Sequence, residues 1–263
     1  MTLPLRVERD GAVTILTFDR PDVLNAFDEA LTAGLAAAVA DAASDETVRC
    51  VVITGAGRAF SAGQDLRDRA AAIAQGADLK LGEELRRRYH PIVITIREMR
   101  KPVVAAVNGV AAGAGLGIAL SCDVRVASAS ATFRAAWSKV GLAPDAASAY
   151  VLPRLIGWGR AMDVIFSAEP IAADAALQLG LVTRVWPAAE FASAWRAYAH
   201  DLANGPTAAY ALSKEGLNAA WDHDLRDFLE IEASLQDRAG RSKDYAEGVR
   251  AFGEKRPARF TGT

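Results

Sequence analysis

Little in this chain invites disulfide, metal or membrane chemistry. Its 263 residues include two cysteines and three histidines. Cys50 and Cys122 sit inside or beside apolar runs, as buried reduced thiols do, and nothing resembles the cysteine framework that staples small secreted domains. No uninterrupted apolar stretch reaches the ~20 residues of a membrane helix. The opening MTLPLRVERDG carries charges where a signal peptide has its apolar region, so the expected compartment is the cytoplasm. An excess of one charge is also missing, with 30 Lys plus Arg against 32 Asp plus Glu. Without a basic field, binding to nucleic acid or an anionic bilayer has no electrostatic driving force, and neither partner is expected. No metal site and no separate cofactor is expected either.

What is present is a core. Half of the chain is hydrophobic (51%) and about a quarter charged (24%), the balance of a soluble globular protein. Leu5 to Arg9 and Ala12 to Phe18 flank Asp10-Gly11, whose positive-φ tolerance predicts a hairpin. Asp28 opens an alanine-rich helix to Ala43, and Cys50 to Thr54 reads as a fully buried strand ending at Gly55. The order repeats: a helix rich in Arg and Glu over Glu83 to Arg100, a strand over Pro102 to Val107, then a glycine-rich turn and another helix. Such alternation predicts a largely parallel sheet with helices outside. From Pro187 onward the pattern becomes helical, over Ala188–Ala203, Thr207–Ala220, Leu225–Ala239 and Asp244–Phe252. The apolar face of Phe228, Leu229, Ile231 and Leu235 must then pack on the core or on another subunit.

Two glycine-rich turns each follow a buried strand: Thr54 to Leu66 (TGAGRAFSAGQDL) and Val107 to Gly117 (VNGVAAGAGLG). Glycine lets a backbone approach a ligand closely, and the helix after the second turn points free N–H groups and the positive end of its dipole at whatever lies there. An oxygen acquiring negative charge would be stabilised in that place. Glycine for tight packing alone is the plainer alternative. A dinucleotide fingerprint fails, because Gly55-x-Gly57 lacks the third glycine and the acid that follows about twenty residues later. A nucleophile elbow at Ala59-Phe60-Ser61-Ala62-Gly63 is a weak match, since Gln64-Asp65-Leu66-Arg67 is a poor helix opening and His200 and His223 are not in loop-like contexts.

Both turns together resemble the enoyl-CoA hydratase/isomerase (crotonase) superfamily. The motifs are Gly57-x-x-Phe60-Ser61-x-Gly63-x-Asp65-Leu66, Lys101-Pro102-Val103 and Asn108-Gly109-x-Ala111-x-Gly113-x-Gly115. Further matches are Asp19-Arg20-Pro21, Asn25-Ala26, Gly141-Leu142-x-Pro144-Asp145, Leu152 to Gly157, Ala175 to Val185 and Phe252-x-Glu254-Lys255-Arg256-Pro257. The resemblance implies an α/β fold, the crotonase (ClpP-like) spiral of ββα units, over residues 1–204. It assigns residues 205–263 to a helical region that makes trimer contacts, with hexamers as dimers of trimers. It further implies an acyl-CoA thioester as substrate, coenzyme A being part of that substrate.

By the same resemblance, the amides of Gln64 and Ala114 grip the thioester oxygen, so that a carbon acid becomes acidic enough for a modest side-chain base. Leu24, Ala26, Ala62, Asp65 and Leu66 would lie along the CoA, and Phe252 and Lys255 would help close its site, in the same subunit or a neighbouring one. Family hydratases use two glutamates, and the matching positions here are Gly117 and Trp137. The remaining acid is Asp145. A helix N-cap is the plain reading of an aspartate before Ala146-Ala147-Ser148. In the family an aspartate at this place resembles the base of isomerases and the nucleophile of 4-chlorobenzoyl-CoA dehalogenases.

TGAGRAFSAGQDLRDR, NGVAAGAG and AGRSKDYAEGVRAFGEKRPARFT resemble the isomerase branch that acts on the ring epoxide of phenylacetyl-CoA, which is similar in turn to enzymes that shift a 3-enoyl double bond. Against it, His90, Trp137 and Asp145 resemble the dehalogenase set, in which an indole N–H orients the aspartate and a histidine activates water; His90 on a helix face and Trp137 as pocket lining are the plain readings. The dipeptide Ala146-Ala147 replaces a glycine pair common in the isomerase branch. An acyl-CoA isomerase is therefore expected, with a hydratase of unusual mechanism, a dehalogenase-like hydrolase and a non-catalytic acyl-CoA-binding or RNA-binding relative as alternatives. Pocket width would depend on Ile73, Leu79, His90 and Trp137. Arg86-Arg87-Arg88 reads as a solvated face, and Trp158, Trp186, Trp195 and Trp221 as packing.

Overall fold

A computed structural model describes residues 3–76 and 78–263. The chain begins β1 (Leu5–Asp10), β2 (Val13–Phe18), α1 (Glu29–Ser44), β3 (Cys50–Gly55), β4 (Ala59–Ser61), α2 (Arg67–Ala74) and α3 (Leu81–Glu84). A π-helical turn (Leu85–Tyr89) then leads into α4 (His90–Glu98). Next come β5 (Val103–Val107), β6 (Val110–Ala112), α5 (Ala114–Ser121), β7 (Val124–Ser128), β8 (Thr132–Arg134), a 3-10 turn (Ala136–Val140), α6 (Ser148–Ile156) and α7 (Trp158–Ser167). The chain ends β9 (Ile171–Ala172), α8 (Ala173–Leu179), β10 (Arg184–Trp186), α9 (Phe191–Asn204), α10 (Thr207–Ala219), α11 (Leu225–Gly240) and α12 (Lys243–Glu254).

Three successive strand pairs build a crotonase-type spiral. β3, β5 and β7 are parallel neighbours in a six-stranded sheet ordered β1-β2-β3-β5-β7-β10, while β4, β6 and β8 are parallel neighbours in a four-stranded sheet ordered β4-β6-β8-β9. Each turn of the spiral thus spends one strand in each sheet before its helical segment. The expected hairpin is β1–β2, paired antiparallel from Leu5↔Phe18 to Asp10↔Val13. The glycine-rich segments read as turns in fact contain β4 and β6. At three residues each these strands are too short to display the alternation by which strands are recognised.

Side chains alternate across the larger sheet, and both of its faces are covered. Val51 and Ile53 belong to the main core with Leu31, Leu35, Ile92 and Ile96; Cys50 and Val52 face the opposite way, onto Trp195, Ala199 and Ala203 of α9. Asp28 caps α1 through its carboxylate, accepting from the Leu31 amide at 2.7 Å. Lys101 serves the other end of that helix, donating to the carbonyls of Ala42, Ala43 and Asp45 at 2.6, 3.0 and 2.6 Å.

The helix expected over Glu83–Arg100 runs instead from Leu81 to Glu98 and is interrupted by the π turn. The extra residue turns Arg88 and Tyr89 into the interior together, whereas Arg86, Arg87 and His90 stay exposed. Arg88 therefore departs from the solvated face read for it. Its guanidinium donates to Thr32 Oγ1 and to the Glu84 carboxylate. Trp158 departs from packing too, being 73% exposed at the start of α7.

The C-terminal helices are tied to the core by specific polar contacts. Lys214 on α10 donates to the Ile96 carbonyl at 2.6 Å and to Asp123 at 2.9 Å. The last residues turn back along α12, where the buried Asp244 carboxylate accepts from the amides of Thr261 and Gly262, and Arg49 donates to the Phe260 carbonyl. Of the apolar face expected on α11, Leu235 is buried but Leu229 is 49% exposed.

Candidate active site

The two glycine-rich segments meet at Gly63. A Cβ added there would stand 3.3 Å from the Ala114 amide nitrogen and 2.8 Å from the Ala112 carbonyl oxygen, and φ is +93°, so only glycine lets the strands approach this closely. The approach is braced from both sides. Asn25 donates to the carbonyls of Ala56 and Ala59 at 2.9 and 2.7 Å, and Asn108 donates to Gly57 at 3.0 Å while accepting from the Gly55 amide. Beneath lies an edge-to-face series of rings, Phe60 on Phe18, Phe18 on Phe27 and Phe27 on Tyr89, with centroids 5.2, 5.1 and 6.0 Å apart.

This scaffold leaves two N–H groups free. Phe27 bridges the chain around Gln64, donating to the Gly63 carbonyl and accepting from the Asp65 amide, which turns the Gln64 amide the other way. Ala114 is the first residue of α5, where an amide has no intrahelical acceptor. Among the described residues neither amide has an acceptor within the chain. Gln64 follows Gly63 directly, so the pair flanks the point of closest approach and can stabilise an oxyanion.

Asp145 faces this region from the loop before α6. It is not the N-cap: Ala147 holds that position, and the Asp145 carboxylate accepts instead from the Trp137 indole Nε1 at 2.9 Å. Burial pushes its pKa above the ordinary carboxylate value, opposed by the Trp137 hydrogen bond and the positive charge of Arg69. The next two residues, Ala146 and Ala147, have φ of 46° and 60°, a region that costs a non-glycine residue roughly 1–2 kcal/mol. Strain of this kind is concentrated at functional sites.

Positions 117 and 137 explain themselves sterically. A Cβ at Gly117 would lie 2.6 Å from the Ala146 Cβ and 2.9 Å from Ser148 Oγ, so no glutamate fits there on this backbone. Trp137 is buried, 3% exposed, with its N–H on Asp145. The structure thus brings Gln64, Ala114, Trp137 and Asp145 into one region. His90 is not among them: it is exposed on α4, and Tyr89 is the residue of that turn which points inward. Tyr89 was missed by the reading of the sequence, and the only signal for it is the helical phase shift that a π turn introduces.

The residues expected along the CoA are scattered in exposure. Leu24 has φ 53° and accepts the Ala62 amide at 2.9 Å, and Ala26 is buried. Asp65 is held between Arg20 at 3.4 Å and Arg67 at 2.6 Å, and the Arg67 guanidinium in particular keeps its carboxyl far below the usual range. Leu66 is 42% exposed. Lys255 ends α12 in a left-handed conformation, and Phe252 is 87% exposed on that helix. Of the pocket residues, Leu79 lines a cavity of about 270 Å³ beside Gln64, and Ile73 is exposed.

Other candidate chemistry is accounted for. Ser61 is buried in β4 with its hydroxyl on the Asn25 carbonyl, unlike the exposed serine of a nucleophile elbow. Both cysteines are buried with thiols pushed up to about 12, so neither is poised to react. Larger cavities, of about 500 Å³ between β1 and α1 and about 420 Å³ under α10, contain neither free amide nor Asp145. Among the described residues no helix is long and apolar enough to cross a membrane.

Comparison with known proteins bears on the family and the fold. A family model described as "Enoyl-CoA hydratase/isomerase" matches residues 8–263. A "probable enoyl-CoA hydratase" of Rhodobacter capsulatus is 43% identical over 98% of this chain and 98% of its own length. The 1,2-epoxyphenylacetyl-CoA isomerase of Escherichia coli is 41% identical over 96% of each chain. Among solved structures, an enoyl-CoA hydratase from Bacillus anthracis superposes with a TM-score of 0.91 at 30% identity, covering 99% of this chain and 100% of its own.

Proposed function

The chain belongs to the enoyl-CoA hydratase/isomerase family, and on that premise we propose that it isomerises an acyl-CoA thioester through an enolate. The observation that carries this reading is the set of acids beside the free amides. Asp145 is there, Gly117 leaves no room for one, and Trp137 donates to Asp145 instead of supplying another. Adding water takes one group to orient it and one to deliver a proton; moving a proton within a molecule takes a single base.

In the proposed reaction the amides of Gln64 and Ala114 hold the thioester oxygen. The Asp145 carboxylate removes a proton from the carbon next to the thioester carbonyl, the C–H electron pair becomes the enolate double bond, and the carbonyl π pair moves onto the oxygen. Protonated Asp145 then returns the proton at the far end of the conjugated system and the oxyanion collapses. Nothing is exchanged with water, so 3-enoyl-CoA would become 2-enoyl-CoA. The ring epoxide of phenylacetyl-CoA is the other substrate this site suits, a choice supported by the similarity to the 1,2-epoxyphenylacetyl-CoA isomerase. The upward shift of the Asp145 pKa fits a group that must both take and give a proton.

The Trp137–Asp145 bond also favours a second reading, a 4-chlorobenzoyl-CoA dehalogenase-like hydrolase with Asp145 as nucleophile. That reaction needs a base to activate water for the ester intermediate, and His90 is exposed. We further propose that residues 205–263 make the contacts of a homotrimer, since Leu217, Leu225, Leu229 and Phe252 present much of their side chains outward. The test of the isomerase reading is Asp145→Asn. The expected result is a fall in kcat of about 10²–10⁴-fold on 3-enoyl-CoA, the usual contribution of a general base, with acyl-CoA binding retained. Full turnover by the variant overturns the assignment.

A further inference from the structure

A base acts on a bound thioester only if it stands at a fixed distance from the groups that hold the oxyanion. Three segments carry those groups: β4, whose last residue Ser61 lies three residues before Gln64; α5, which Ala114 opens; and the turn Asp145 to Ser148, closed by the Ser148 amide donating to the Asp145 carbonyl at 2.9 Å. They are stacked on α5 through two glycines. On one face of the helix, a Cβ at Gly115 would stand 2.5 Å from the Ser61 carbonyl oxygen and 2.8 Å from the Ser61 Cβ. Residues two apart lie about 200° apart around a helix. Gly117 therefore faces the other way, onto the turn, where a Cβ would stand 2.6 Å from the Ala146 Cβ and 2.9 Å from Ser148 Oγ.

The two sides of the Gly117 contact are unequal. Every residue of α5 is buried, and β4 lies hard against Gly115, so the helix has no room to retreat. The turn is held less firmly. Ala146 and Ala147 both have positive φ, no side chain caps α6, and the Ser148 hydroxyl is buried with no hydrogen-bond partner. Each is a local cost that persists only where the surroundings over-determine the conformation. Here α5 does so: the turn rests on the bare backbone at Gly117, and Ser121 bridges the two, donating to the Gly117 carbonyl at 2.9 Å and to the Ala146 carbonyl at 3.4 Å. An added methyl group would thus displace the turn and leave the helix in place.

We propose that Gly117 is a positioning residue: the lack of a side chain there sets the distance between the Asp145 carboxylate and the two oxyanion amides. This rests on the reading of Asp145 as the base. Carbon atoms in contact sit about 3.5–4.0 Å apart, so a methyl group at position 117 drives Ala146 back by roughly 1 Å. Asp145, the next residue in the turn, moves with it, off the Trp137 indole that now lies 2.9 Å away. A misplacement of about 1 Å costs on the order of 10²-fold in rate. Position 117 therefore does more than exclude a glutamate, since even alanine there uncouples the base from the oxyanion hole.

The experiment compares Gly117→Ala, Ala146→Gly and the double variant of the full-length protein by two readouts. One is turnover of 3-enoyl-CoA. The other needs no turnover: the Trp137 indole N–H resonance of protein carrying 15N-labelled tryptophan, assigned by its loss in Trp137→Phe, with Asp145→Ala marking its position once the acceptor is gone. Gly117→Ala is expected to lower kcat about 10²-fold with KM kept, and to move the resonance toward that of Asp145→Ala. In the double variant the new methyl group meets bare backbone at 146 and a Ser148 hydroxyl with no bond to give up when it turns aside. Both readouts should then return to those of Ala146→Gly alone. A merely structural role would lower the melting temperature of Gly117→Ala and leave its resonance and its kcat per folded molecule unchanged. An unmoved resonance in Gly117→Ala, or a shift that Ala146→Gly does not reverse, overturns the inference. Should Gly117→Ala not fold, the double variant decides: a resonance at the Ala146→Gly position upholds the inference, and one at the Asp145→Ala position overturns it. A wild type that turns over no 3-enoyl-CoA while the shift and its reversal are seen refutes the isomerase reading and leaves the role of Gly117 standing; an active wild type whose resonance stays put in Gly117→Ala does the opposite.

Discussion

Replacing Trp137 with phenylalanine removes the N–H that lies 2.9 Å from the Asp145 carboxylate and keeps an aromatic ring in place. A hydrogen bond to a charged group contributes about 1.5–3 kcal/mol. If that bond holds Asp145 in its working orientation, its loss lowers the plateau of kcat/KM by roughly 10- to 150-fold. A second effect is separable from the first. The indole is the chief group opposing the rise that burial imposes on the Asp145 pKa, so without it the pKa climbs further. The active form is the carboxylate, and the acid limb of the pH profile therefore moves to higher pH. Both effects are read by following conjugated thioester formation from 3-enoyl-CoA across pH. The smaller ring also leaves a cavity, costing stability that a melting curve reports independently of the pH profile. A variant whose plateau and acid limb both match the wild type would refute the claim that Trp137 orients the base.

Gly63→Ala inserts a methyl group 2.8 Å from the Ala112 carbonyl at a positive φ, forcing the two turns apart; loss of one oxyanion donor typically costs about 10²–10³ in kcat, measurable on the same substrate. Ala147→Gly relieves a left-handed alanine worth about 1–2 kcal/mol, so the melting temperature should rise by a few degrees; a fall would show that the loop is not strained. Asp145→Asn bears on stability against pH. The folded pKa of Asp145 lies above its unfolded value, so its contribution is intact below pH ~4 and is lost as pH rises through the folded pKa. The asparagine variant, which can still accept from Trp137, should therefore melt higher than the wild type at neutral pH, with the difference closing in acid.

The parts legible in the sequence were those set by local rules. Asp10-Gly11 and the unbroken apolar run from Cys50 to Ile53 dictate their own conformation, and the observed elements fall within a few residues of the expected ones. Gly63 and Gly117 could be seen as glycines of a motif, but that one admits the Ala114 turn and the other excludes a glutamate depends on which backbone lies opposite, a tertiary fact. Tyr89 was hidden for a related reason. A regular helix over Glu83–Arg100 would put His90 and Tyr89 about 100° apart with no way to choose between them, and the π turn decides it. Arg88 was misread by the same omission. Three-residue strands such as Ala59–Ser61 leave no periodic trace at all.

The central claim is that one carboxylate moves a proton and no water takes part. It is tested most directly by supplying 3-enoyl-CoA in 18O-labelled water and weighing product and enzyme together. The account predicts a 2-enoyl-CoA of unchanged mass, free of label, and an enzyme free of label at Asp145. A labelled 3-hydroxyacyl-CoA as the main product, or label in the Asp145 carboxylate after turnover of an aromatic acyl-CoA, would contradict it.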